Sequence, residues 1–174
     1  HALGDLAARW QEDVIDLRPD VLSVFVGTND AERHLGRLLR ADDPKTVPDF
    51  DFADWERTYR GLLDRARQAN PALKIVLCTP FAAPCGKIVE GALGEYYPLR
   101  QRILAQCCVI VERIAADYGA TLVPFHRLIA DLETRLPNGD ATYWVWDGIH
   151  PTPAGQRLMA DCWIGAAARN GVME

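Results

Sequence analysis

Apolar residues at Leu3, Leu6, Ala7, Trp10, Val14 and Leu17 recur at the spacing of a helix with one buried face, and Arg18-Pro19-Asp20 stops it. Val21-Leu22-Ser23-Val24-Phe25-Val26 then runs apolar on both faces, which predicts a parallel strand covered on both sides. Gly27-Thr28-Asn29-Asp30 ends that strand in a turn. The charged stretch from there to about Asp51 predicts a short helix followed by an exposed loop. Helical spacing returns at Phe52, Trp55, Tyr59, Leu62, Leu63 and Ala66 and closes at Asn70-Pro71. Lys74-Ile75-Val76-Leu77-Cys78 reads as a second buried strand. A Pro- and Gly-rich loop over residues 79–94 follows, and then a long helix over about 98–118, with Gly119 as its C-cap. Residues 120–124 predict a third strand and residues 128–136 a short helix. The last helix begins with Thr152 as N-cap and Pro153 at its first position.

Strands alternating with helices imply an α/β protein: a mostly parallel sheet between two helical layers, in one domain over residues 1–174. Three strands make a small sheet for so apolar a chain, and the first is as apolar as a central strand. The chain also opens on a helix with no strand before it. These features lead to the expectation that the domain is N-terminally incomplete, lacking a further βα unit of roughly 30 residues.

Composition narrows the choice of function. The 174 residues are 49% hydrophobic and 25% charged, ordinary for a globular domain. A net charge of -5 with no basic run argues against nucleic acid as a partner, and no apolar run is long enough to span a membrane. Cys78, Cys85, Cys107, Cys108 and Cys162 are odd in number and follow no metal-ligand spacing. They read as small buried hydrophobes in a reducing, cytoplasmic setting, a Cys78–Cys85 pair in a secreted protein being the alternative. Nothing calls for a metal or an organic cofactor.

Chemistry concentrates in Trp146-Asp147-Gly148-Ile149-His150-Pro151, a loop running into the last helix. An acid three residues before a histidine can bond one ring nitrogen and leave the other to act as a base. In open α/β sheets the site lies beyond the C-terminal strand ends. Three segments reach that edge: residues 27–30, 79–85 and 137–150. Asn29, just past the first strand, carries an amide able to donate to a developing oxyanion. On their own, Asn29 and Asp30 are also common turn formers.

Together, Gly-x-Asn-Asp after a buried strand and Asp-x-x-His-Pro before the last helix resemble the SGNH (GDSL-type) hydrolase family, over nearly the whole chain. The resemblance implies a flavodoxin-like α/β/α fold and hydrolysis of acyl esters by a Ser, an Asp and a His. Carried over by motif, His150 is the general base, Asp147 its orienter and Asn29 an oxyanion donor, with Gly27 shaping the turn that places Asn29. Gly27, Asp30, Phe81 and Trp146 are assigned to the substrate side, Phe81 at an acyl pocket without a motif behind it. Trp144, Trp146 and Tyr143 either stack on a sugar ring or pack in the core, the second being favoured. The expected partner is a small acyl ester or an acetylated sugar.

The departure from the family lies in the nucleophile, for the N-terminal Gly-Asp-Ser block is absent from this sequence. Ser23 is the one serine, and its mid-strand position predicts a buried hydroxyl away from the site. Cys85 and Thr28 are weak substitutes. His1, His34 and His126 have no acid at matching spacing and read as surface or interface residues, His34 bordering the pocket at most. The expectation is an esterase of lipase or carbohydrate-acetylesterase type whose serine lies on an upstream segment. This chain alone is then inactive. The alternative is a non-catalytic SGNH-like ligand-binding module.

Overall fold

A computed structural model describes residues 1–135 and 141–173. Three parallel strands, β1 (Val21–Phe25), β2 (Lys74–Cys78) and β3 (Thr121–Val123), lie in the order β1-β2-β3, with Val21 opposite Lys74 and Val76 opposite Thr121. The helices are α1 (Leu3–Trp10), α2 (Thr28–Arg40), α3 (Phe52–Ala69), α4 (Gly91–Glu95), α5 (Tyr97–Asp117), α6 (Phe125–Arg135) and α7 (Pro153–Arg169). α1 continues through Gln11–Ile15 as a wider turn, and Gly86–Val89 forms a single tighter one.

Alternation along the strands sends their side chains to two apolar layers. Leu22, Val24, Ile75 and Leu77 pack with Trp10 before the wider turn, with Trp55, Tyr59 and Leu63 of α3, and with Ile103, Ile110 and Ile114 of α5. Val76, Cys78 and Val123 pack on the other side with Phe125 and Ile129 of α6 and with Met159, Ala166 and Ala167 of α7. This is the expected α/β arrangement with helices on both faces. No helix among the described residues is long and apolar enough to cross a membrane.

Two expectations are corrected. β1 is not covered on both faces: Ser23 is exposed and Phe25 is 47% exposed. The α6–α7 layer packs over β2 and β3 and reaches β1 only in part, at Val21 and through Trp163, so Phe25, stacked on Phe81 and edge-on to Phe125, faces solvent elsewhere. The Gly27–Asp30 segment is also not a free-standing turn. Gly27 is the N-cap of a 13-residue helix that Thr28, Asn29 and Asp30 begin. Residues that favour turns also favour first helical turns, where their side chains can serve N–H groups left without partners. Asp30 Oδ1 does this for a neighbouring helix, accepting from the Leu3 N–H at 2.9 Å.

The remaining elements follow the pattern closely. α7 starts with Thr152 Oγ1 accepting from the Gly155 N–H at 3.1 Å and with Pro153 in its first turn. α5 ends at Asp117, and Gly119 just beyond it has φ +58°, so that the Ala120 N–H returns to the Ala115 carbonyl at 2.8 Å. α6 begins at Phe125, and its expected end, Leu136, lies outside the described residues, as does the start of the loop expected from Pro137.

Candidate active site

The loop before α7 is built by main-chain bonds that fold it back on itself. The Trp146 N–H donates to the His150 carbonyl at 3.1 Å and the Thr152 N–H to the Trp144 carbonyl at 2.9 Å. At the tip of this fold, Asp147 Oδ1 accepts from the Ile149 N–H (3.0 Å) and the His150 N–H (2.9 Å). That leaves Oδ2 for His150 Nδ1, 2.8 Å away. Burial alone would raise the Asp147 carboxyl. The bonds from the His150 N–H, its ring and the Ile149 N–H outweigh it and hold the group below the usual carboxylate range.

An ionised Asp147 accepts from Nδ1–H, and in the neutral imidazole Nε2 then carries the lone pair, on a side chain that is 71% exposed. This is a base with a fixed tautomer and an open face.

The loop rests on the segment after β2. The Ala83 N–H donates to the Gly148 carbonyl at 2.8 Å, and the Cys85 thiol to the Val145 carbonyl at 3.0 Å. The Gly86 and Asp147 backbones meet so closely that a Cβ on Gly86 would stand 2.5 Å from Asp147 Cα. Ile88 packs its side chain onto Gly148.

Trp146 stands beside the pair and is 60% exposed, as is Tyr143 at 65%. The expectation that they pack in the core is corrected for both; Trp144, half-buried, meets Tyr143 edge to face at 4.7 Å. The loop here is too tightly closed to turn these rings inward along with Val145, which is fully buried.

Other residues singled out from the sequence are elsewhere. Asn29 is exposed in the first turn of α2 and donates through Nδ2 to the His1 carbonyl at 3.2 Å. Gly27 has φ +130°, and a Cβ there would stand 2.7 Å from Pro80 Cγ, so this turn needs glycine. Asp30 turns into the interface of α1 and α3, where burial raises its carboxyl against the bond from the Leu3 N–H. Phe81 is 4% exposed and stacked on Phe25. Thr28 Oγ1 donates to the Phe81 carbonyl at 3.0 Å.

Ser23 is exposed rather than buried, because its face of β1 is the open one. Its Oγ accepts from Trp163 Nε1 at 3.1 Å, and no hydrogen bond among the described residues joins it to His150. The cysteines are free thiols, and burial pushes Cys78 and Cys108 up to about 12, against thiolate chemistry.

His34 and His126 are not simple surface residues. His34 is buried edge-on to Phe50, and His126 Nδ1 lies 2.7 Å from Thr79 Oγ1 with its Nε2 3.7 Å from Glu112. Burial lowers both rings.

Sequence reasoning assigned nothing to Arg100, whose side chain is fully buried near the start of α5. It donates to Glu32 of α2 through Nε (2.5 Å) and Nη2 (3.1 Å), and through Nη1 to the Ile88 carbonyl (3.2 Å). The signal was an arginine among buried positions, but such side chains ordinarily extend to solvent, so the position alone carried no message.

Comparison with known proteins gives the family. The model of the GDSL-like lipase/acylhydrolase family matches residues 2–158. An acetylxylan esterase of Geobacillus stearothermophilus is 32% identical over 167 residues, 94% of this chain and 66% of the esterase. An acetylxylan esterase of Xylanibacter ruminicola is 29% identical over 92% of this chain and 30% of its own length. The chain thus spans less than two thirds of these relatives. Among solved structures, a GDSL-like lipase from Parabacteroides merdae superposes with a TM-score of 0.79 at 27% identity, covering 97% of this chain and 69% of that one. Solved catalytic mutants of the Geobacillus esterase replace a serine early in its chain and an aspartate and a histidine three positions apart.

Proposed function

The chain belongs to the GDSL-like lipase/acylhydrolase family, and from that premise we propose that it is the larger part of a single-domain esterase that removes acetyl groups from a carbohydrate. The observation that carries this reading is the 2.8 Å bond between Asp147 and His150 Nδ1 on an exposed ring. Its three-residue spacing equals that of the aspartate and histidine replaced in the catalytic mutants of the Geobacillus esterase.

In this mechanism His150 Nε2 takes the proton of a serine hydroxyl as its oxygen attacks the ester carbonyl, and Asp147 stabilises the imidazolium that forms. Collapse of the tetrahedral intermediate expels the sugar hydroxyl, which receives that proton, and water then releases acetate by the same steps. Asn29 Nδ2 has a second N–H beyond the one given to His1, and that N–H serves the oxyanion. The serine belongs to a segment upstream of His1, which also adds a strand along the outer edge of β1, where no strand pairs among the described residues. Tyr143 and Trp146 offer exposed aromatic faces for a sugar ring beside the base.

The test uses the full-length protein on p-nitrophenyl acetate and on acetylated xylo-oligosaccharides. The expected result is acetate release that His150→Ala lowers by about four orders of magnitude. Binding of the oligosaccharide with no release of acetate would instead identify a non-catalytic ligand-binding module and overturn the proposal.

A further inference from the structure

A fully buried arginine is costly unless its charge and its donors are matched, so its place in the fold calls for a reason. Arg100 meets three oxygens from two segments. Two are the carboxylate oxygens of Glu32, one helical turn after Asn29 on α2. The third is the carbonyl of Ile88, whose side chain packs on Gly148 between Asp147 and His150. α2 and the acid–base loop share no direct hydrogen bond among the described residues; the Thr28–Phe81 and Ala83–Gly148 bonds link them on one side, and the Arg100 route links them on another. The planar guanidinium suits the task, since it engages both carboxylate oxygens and still offers a donor at a fixed angle.

We propose that Arg100 is a positioning residue of the site: clamped by Glu32, it holds the Ile88 segment on which the Asp147–His150 loop rests, and so helps fix the acid–base pair relative to the helix that carries Asn29. The inference rests on the esterase reading for its catalytic consequence, and on contacts alone for its structural one. A misplacement of about 1 Å between a base and an oxyanion donor is enough to cost roughly a hundredfold in rate. Glu32 and Arg100 touch no reacting atom; they act through Ile88 and Gly148.

Two variants of the full-length protein test the tether at different points. Glu32→Gln removes the charge that clamps the guanidinium. Ile88→Val keeps the ion pair and shortens the side chain that meets Gly148. Ile110→Ala, elsewhere on α5, is the control for general loss of stability. The readouts are the downfield proton resonance of the His150 Nδ1–H bonded to Asp147, and the steady-state constants on p-nitrophenyl acetate.

Glu32→Gln and Ile88→Val are expected to shift or broaden the resonance and to lower kcat, by about a hundredfold for Glu32→Gln, with KM nearly unchanged. Ile110→Ala lowers the melting temperature and leaves both readouts in place. A sharp, unshifted resonance in folded Glu32→Gln would overturn the proposal, as would equal effects from Ile110→Ala. If the wild type hydrolyses no ester, the esterase reading fails while the resonance still decides the tether.

Discussion

The side chain of Ile88 occupies the space that a Cβ on Gly148 would need, and the Cys85 carbonyl stands 2.7 Å from the same point. Gly148 also has φ +88°, a conformation that side chains rarely adopt. Gly148→Ala is therefore expected to destabilise by about 2–4 kcal/mol, a melting temperature roughly 5–15 °C lower. Adding Ile88→Val should not restore it, since the carbonyl and the backbone strain remain. A thermal melt of the three variants decides; full recovery in the double variant would assign the cost to Ile88 alone.

Asp147 is held below the usual carboxylate range, so its contribution to stability has a definite sign with pH. That contribution is present above about pH 4, the unfolded value, and is lost as pH falls through the lower folded value. Urea melts of wild type and Asp147→Asn between about pH 2 and pH 7 should show a gap that closes toward acid. A gap constant over that range would mean that the bonds from Ile149 and His150 do not depend on the carboxylate charge.

Ser23 accepts a hydrogen bond from Trp163 and not from His150. Ser23→Ala in the full-length protein is expected to keep esterase activity and to cost at most about 1 kcal/mol in stability, as for a single exposed hydrogen bond. Loss of activity on the scale of His150→Ala would make Ser23 the nucleophile against this reading.

Trp146 is expected to separate sugar binding from ester chemistry. Trp146→Ala should raise KM for acetylated xylo-oligosaccharides about three- to tenfold, the worth of one stacked ring, and leave p-nitrophenyl acetate hydrolysis unchanged. An equal loss on both substrates would mean that the indole supports the loop rather than the sugar.

What the sequence revealed and what it concealed divide along the range of the interactions. β2 was legible to the residue, because Lys74 and the four apolar positions after it, ending at Thr79, leave no other reading of Lys74–Cys78. The start of α7 was legible because Thr152 and Pro153 act locally, and Asp147 with His150 because their bond closes within four residues. β1 misled for a long-range reason: its apolar run is real, but whether Phe25 is covered depends on how far α6 and α7 extend. The start of α2 at Thr28–Asp30 was hidden by chemistry that turns and helix starts share. Arg100 was hidden because its partners, Glu32 and Ile88, come from segments that no spacing connects to it.

The close fit of Gly86 on Asp147 and of Ile88 on Gly148 bears on any attempt to move this chemistry into another scaffold. Grafting Asp147 through His150 alone would carry the hydrogen-bonded pair of side chains and leave behind the surface that shapes their loop. The transferable module is a pair of interlocked segments, distant in sequence, and a host would have to receive both at once.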